Sequence, residues 1–175
     1  MMISKEAVII AGATAVGLYG ALEVMRRTRH GANEWTIEGI VGALSIYGAV
    51  HTIAARTGAA WNSVFRAPSV QRALYDAKRK DPNQWAVVVA SAAKAKMSVE
   101  AYVEFLSTNT RHARGLAADF SKAGKSTAEL AREIYTLAKA GVIGTVKKVL
   151  DERDHVHVEW WAPWQTANAP ILEHV

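Results

Sequence analysis

Two separated stretches of this chain carry side chains that can do chemistry together. Residues 110–119 read Thr-Arg-His-Ala-Arg-Gly-Leu-Ala-Ala-Asp, and residues 154–157 read Asp-His-Val-His. His112 and Asp119 stand seven apart, with Gly115 between them, where a loop entering a strand can turn and aim both side chains at one point. His155 and His157 are two apart and on a strand share one face, so one or both can point at that same place. Asp154 lies three residues before His157, at the mouth of the strand. Two imidazoles and one carboxylate around zinc leave a fourth position for water. The ion lowers the pKa of that water to about 7. A second carboxylate that is not a ligand can take its proton and return it to a leaving amine. That chemistry is amide hydrolysis. Either pair alone is an ordinary feature of a strand; the combination, with Asp154 at its offset, points to a metal centre. The chain has no cysteine, so any such centre must use nitrogen and oxygen ligands, and no disulfide framework is possible. An extracytoplasmic home stays open, because disulfides are permitted there and not required.

The elements that must position these groups read as an α+β domain. Residues 60–65 alternate loosely as a strand. Pro68 opens a helix to about Arg79, Asp81-Pro82-Asn83 is a turn, and Ser98 caps a helix through Leu106. A short strand covers residues 116–120. Ser126-Thr127-Ala128-Glu129 is a capping box opening a helix with apolar Leu130, Ala131, Ile134, Leu137 and Ala138, stopped at Gly141. Residues 145–150 and 156–161 are β-like and pair antiparallel around residues 151–154, and the tail after Pro163 is irregular. Gly124-Lys125-Ser126 lacks the earlier glycine that a phosphate loop needs.

The N-terminal part differs in character. Residues 7–22 carry no charge; Glu23 follows, then the basic cluster Arg26, Arg27 and Arg29. A second apolar run covers residues 37–53, and both runs are rich in Gly and Ala. Each is near the lower limit for a bilayer span, ~17–25 residues. Three arrangements follow: a membrane hairpin with residues 26–30 in the cytoplasm and both termini outside; a single anchor at residues 7–25, with residues 37–56 opening the soluble domain on the inner side; or two buried soluble helices. Gly39, Gly42 and Gly48 let a neighbouring helix approach closely. The expected division is residues 1–58 as an apolar helical segment and 59–175 as the domain carrying the site.

The net charge is +5, and the second part holds sixteen Lys/Arg against twelve Asp/Glu, so the excess sits mostly on the domain. That suits a polyanionic surface such as a cell wall or an acidic membrane. No nucleic-acid module is present and the aromatics are not interleaved with the basic residues, so no nucleic-acid partner is expected. Trp160, Trp161 and Trp164 read as either groove-lining or core residues, and Arg111 and Arg114 as either substrate-facing or a solvated basic loop.

The pattern His-x-x-Gly-x-Ala-x-Asp at His112, Gly115, Ala117 and Asp119, followed by Asp-His-x-His at Asp154, His155 and His157, resembles the zinc D-alanyl-D-alanine carboxypeptidase family. That family includes peptidoglycan-cleaving L-alanyl-D-glutamate endopeptidases of phages. Phe65-Arg66-Ala67-Pro68-Ser69-Val70-Gln71 is similar to its upstream Tyr-Arg-Ser…Gln segment, and the resemblance covers roughly residues 60–161. It implies a small antiparallel sheet flanked by helices, as in zinc D,D-peptidases and hedgehog-like domains, preceded here by one or two apolar helices. It implies zinc held by His112, Asp119 and His157, Asp154 as general base, His155 behind the ligands or at the oxyanion, Arg66 facing the oxyanion, and Gln71 and Thr110 towards substrate. Thr110 departs from the family's usual serine but keeps the hydroxyl. The expected function is hydrolysis of an amide bond in peptidoglycan stem or crosslink peptides, at a membrane with the domain facing the wall or in a phage lysis or virion protein. The rival is a membrane-associated structural or wall-binding protein that keeps the zinc-peptidase fold without turnover.

Overall fold

A computed structural model describes residues 37–121 and 124–174. The first apolar run, residues 7–25, lies outside them. The described residues form an α+β fold of five helices and one five-stranded mixed sheet. The helices are α1 (Ile37–Thr57), α2 (Pro68–Lys78), α3 (Pro82–Lys94), α4 (Val99–Asn109) and α5 (Thr127–Lys139). The strands are β1 (Ala60–Ser63), β2 (Ala117–Ser121), β3 (Val146–Asp151), β4 (His155–Trp160) and β5 (Ile171–His174), in the order β1-β2-β4-β3-β5. All neighbours are antiparallel except β3 and β5.

The period-2 pattern of β4 sorts its side chains: Val156, Val158 and Trp160 are buried, while His155, His157 and Glu159 on the other face are partly open. The buried set joins Phe120, Val149, Leu130 and Ile134 in one core. Helix α5 reaches that core because its Ser126 capping box fixes its start and Leu130, Ala131, Ile134 and Ala138 fall on one stripe. Gly141 ends it with a positive φ of 70°. Helix α1 contributes Ala43, Ile46, Val50 and Ile53 to the same core, and exposes Ser45, His51 and Arg56. Its Glu38–Thr57 segment is long and apolar enough to cross a membrane by length and composition alone, with a third of that window buried inside the protein.

Four expectations about elements are corrected. Asp81-Pro82-Asn83 is not a free turn: Asp81 is the N-cap of α3, its carboxylate accepting from the backbone N–H groups of Asn83 and Gln84, and Pro82 takes the first helical position. The tail is not wholly irregular, because Ile171–His174 pairs with β3. Since that pairing is parallel, the sheet is mixed and not purely antiparallel. The strand begun at Ala60 also ends at Ser63, short of Phe65.

Candidate metal centre

The open face of β2 and β4 positions the site. Asp119 of β2 is the register partner of His157 on β4, Ala117 of Glu159, and Ser121 of His155. His112 comes from the loop between α4 and β2. That loop is pressed against α1. A Cβ on Gly42 would stand 2.0 Å from the carbonyl oxygen of Arg114, and a Cβ on Gly115, where φ is +65°, would stand 2.2 Å from that of Gly39. The close approach that the glycines of α1 allow is thus made at Gly42 to the ligand loop and not to a helix.

Three ligand atoms converge. His112 Nε2 is 3.1 Å from Asp119 Oδ1, His157 Nδ1 is 2.8 Å from the same oxygen, and the two ring nitrogens are 3.2 Å apart. Ligands about 2.0–2.1 Å from a tetrahedral zinc stand roughly 3.3 Å from one another. The observed edges need only a small outward shift, so these residues fit the ion, and they are a group of three metal-ligating side chains within mutual reach.

The groups behind the ligands aim them. His112 Nδ1 lies 3.3 Å from the Val64 carbonyl, and His157 Nε2 lies 3.5 Å from Glu159 Oε1. A carbonyl or carboxylate on the far nitrogen is the usual support of a metal-bound imidazole. Arg66 binds Asp119 Oδ2 through its guanidinium, and its backbone N–H donates to the His112 carbonyl at 3.1 Å. Lys147 pairs with Glu159 at 2.9 Å.

The electrostatics follow from these contacts. Burial depresses the His112 imidazole, outweighing the pull of Asp119, so His112 is neutral. Burial pushes the Asp119 carboxyl up, but the hydrogen bonds from His112 and His157 and the Arg66 charge together hold it far below the usual carboxylate range. For His157, burial is overcome by Asp119 and Glu159, which raise the imidazole to about 9. For Glu159, burial is overcome by His157 and Lys147, which lower it to about 2. Neutral His112 has one ring proton and an oxygen acceptor facing each ring nitrogen. His157 Nδ1 stands 3.2 Å from His112 Nε2 and 2.8 Å from Asp119 Oδ1, so a proton on it lies between the two.

A cavity of about 600 Å³ opens over the three ligands, walled by Gln71, Tyr75 and Lys78 of α2 and by Arg66, Thr110 and Arg111. Of the expected site residues, His112, Asp119 and His157 come together and Arg66 joins them. Gln71 is buried in the wall, its Oε1 without a hydrogen-bond partner among the described residues. Thr110 sits at the C-cap of α4 and accepts from the N–H of Ala113. His155 Nε2 faces Asp119 Oδ1 at 3.6 Å and Glu152 Oε2 at 3.1 Å, while its Nδ1 faces Asp154 Oδ1 at 2.7 Å. The Asp154 side chain is 86% exposed and lies outside the cavity wall, whereas Glu152 lines it. Arg111 is tied down: its guanidinium donates to the Trp160 carbonyl and Gln165, and approaches Glu159. Trp160 is core, and Trp164 is exposed.

Sequence reasoning missed Glu159 and Glu152. Glu159 had a signal: two residues beyond His157 on a strand, it shares that face. Glu152 had none, since its aim depends on the turn between β3 and β4. Compared with family models, with curated proteins and with solved structures, the chain matches none.

Proposed function

We propose that this protein is a zinc-dependent peptidase that hydrolyses an amide bond in peptidoglycan stem or crosslink peptides, with a zinc D,D-peptidase type of domain working at the wall side of a membrane or in phage lysis. The observation that carries the reading is the convergence of two imidazole nitrogens and one carboxylate oxygen, each aimed by a partner behind it, at the floor of an open cavity. The sequence resemblance adds the substrate class.

Bound zinc supplies Lewis acidity, which polarises a carbonyl and acidifies a water. His112, Asp119 and His157 hold it. Arg66, which lines the cavity as well as meeting Asp119, presents a permanent cation to charge developing on the substrate's carbonyl oxygen. Water adds its oxygen to the carbonyl carbon, the C–N bond breaks, and the proton taken from water goes to the departing amine. The resemblance gives that transfer to Asp154; His155 links Asp154 to the cavity, and Glu152 stands on the cavity side of the same imidazole. Gln71 and Thr110 meet the substrate.

The test is mass spectrometry of fragments released from purified peptidoglycan, with and without chelator, alongside metal analysis. Chelator-sensitive release of new amino groups, with about one zinc per chain, is expected. A protein that carries no zinc after reconstitution, or carries it and cleaves nothing, rejects the peptidase. One observation favours the rival, a wall-binding domain without turnover: the assigned base stands outside the cavity. Sedimentation with wall fragments at zero turnover is its signature.

A further inference from the structure

We propose that Arg66 sets the coordination number of the metal centre by reserving one oxygen of Asp119, and that this reservation makes the centre four-coordinate and zinc-selective. The proposal rests on the metal-centre reading above and deepens it.

A carboxylate can bind a metal through one oxygen or both. Ions such as manganese and calcium favour six or more oxygen-rich ligands, whereas zinc with nitrogen ligands settles at four. The choice open to Asp119 therefore matters. Its Oδ1 carries both histidine contacts, and its Oδ2 is held by the Arg66 guanidinium. Asp119 is 4% exposed, so bulk water does not compete for Oδ2. Arginine keeps its charge at every working pH, which makes the hold unconditional.

The brace is wider than one contact. Val64 faces His112 Nδ1 with its carbonyl, and the Arg66 backbone N–H donates to the carbonyl of His112. Residues 64–66, just past β1, thus fix the ring of one ligand, the main chain of that ligand and the spare oxygen of a second. Arg66 is a positioning residue for the metal. Its role towards substrate is separate and uses whatever N–H groups remain on the cavity side.

The experiment strips the full-length protein with chelator and reloads it with cobalt(II), whose visible absorption is intense in four-coordinate sites and weak in five- or six-coordinate ones. The parent is expected to absorb intensely. Arg66→Gln and Arg66→Met, made in parallel so that a folding failure in one leaves the other, free Oδ2 to chelate. Both are expected to absorb weakly and to lose about tenfold or more of the preference for zinc over manganese. Arg66→Lys, whose ammonium still meets Oδ2, is expected to absorb like the parent. Neutral variants that keep the parent's spectrum and preference overturn the proposal, as does a weak spectrum in the parent itself. A parent that binds neither cobalt nor zinc rejects the metal centre, a failure distinct from a bound ion that ignores residue 66.

Discussion

Asp119 and His157 face each other as register partners on the antiparallel strands β2 and β4, with Oδ1 of one 2.8 Å from Nδ1 of the other. Register, not loop flexibility, holds this pair of ligands. A slip of β4 by one residue against β2 would turn His157 to the core side and leave Asp119 without its partner.

Asp119→Ala removes the anion that His112, His157 and Arg66 share. Breaking a buried charge pair from one side costs about 3–5 kcal/mol. Urea denaturation in chelator is expected to show a loss of that order, and metal analysis a protein without stoichiometric zinc. Unchanged zinc content would remove Asp119 from the ligand set.

If zinc binds as proposed, it displaces a proton from His157, raised to about 9. At pH 7.5 about one proton is therefore released per ion bound, and affinity climbs with pH until it levels off near 9. Titration calorimetry in two buffers of different ionisation heat reads the proton directly; identical heats would contradict it. The sign for stability is opposite. In chelator, the stabilisation from charged His157 is complete below its unfolded value of 6.5 and is lost as pH rises through about 9. That from Asp119 is present above its ordinary pKa of 3.8 and is lost only in acid.

Glu159→Gln leaves the three ligands in place but weakens the support of His157 Nε2. Such partners typically contribute 10–100-fold to metal affinity. Competition against a chromophoric chelator is expected to show a fall in that range with an unaltered circular dichroism spectrum. No fall would mean that Glu159 serves Lys147 and Arg111 and not the imidazole.

Asp154→Asn and Glu152→Gln separate the two carboxylates around His155. Loss of general-base catalysis costs about 10²–10⁴ in rate. If Asp154 is the base, Asp154→Asn is expected to lose that much turnover with zinc retained, and Glu152→Gln much less. The reverse order transfers the role to the residue that lines the cavity.

Gly42→Ala drives a methyl against the Arg114 carbonyl, and a backbone oxygen cannot swing away. Overpacking of this kind costs about 1–3 kcal/mol. Gly48→Ala in the same helix meets nothing within 4 Å, and is expected to gain about 0.5–1 kcal/mol. Paired urea melts compare them, and zinc affinity is expected to fall only in the first. Equal behaviour would show that the loop yields.

The convergence of His112, Asp119 and His157 was legible in the sequence because their types and spacing are chemistry that local structure cannot hide. Period 2 placed His155 and His157 on one face, yet only the β2–β4 register puts His157, and not His155, opposite Asp119. Helix α5 was legible through its capping box. Helix α3 was not, because Asp-Pro opens turns and helices alike and Val87 and Val89, both exposed, blur the stripe that would mark a helix. Strand β5 had no alternation to read; its pairing with β3 is a tertiary fact. The Arg66–Asp119 pair spans 53 positions, and nothing in either neighbourhood announces it.

The glycine seam between α1 and the ligand loop has a consequence for any membrane role of this segment. Acyl chains and the His112 loop compete for one side of a single helix. Immersion of residues 38–57 in lipid and the packing of the His112 loop against that helix are therefore alternative states of the same chain.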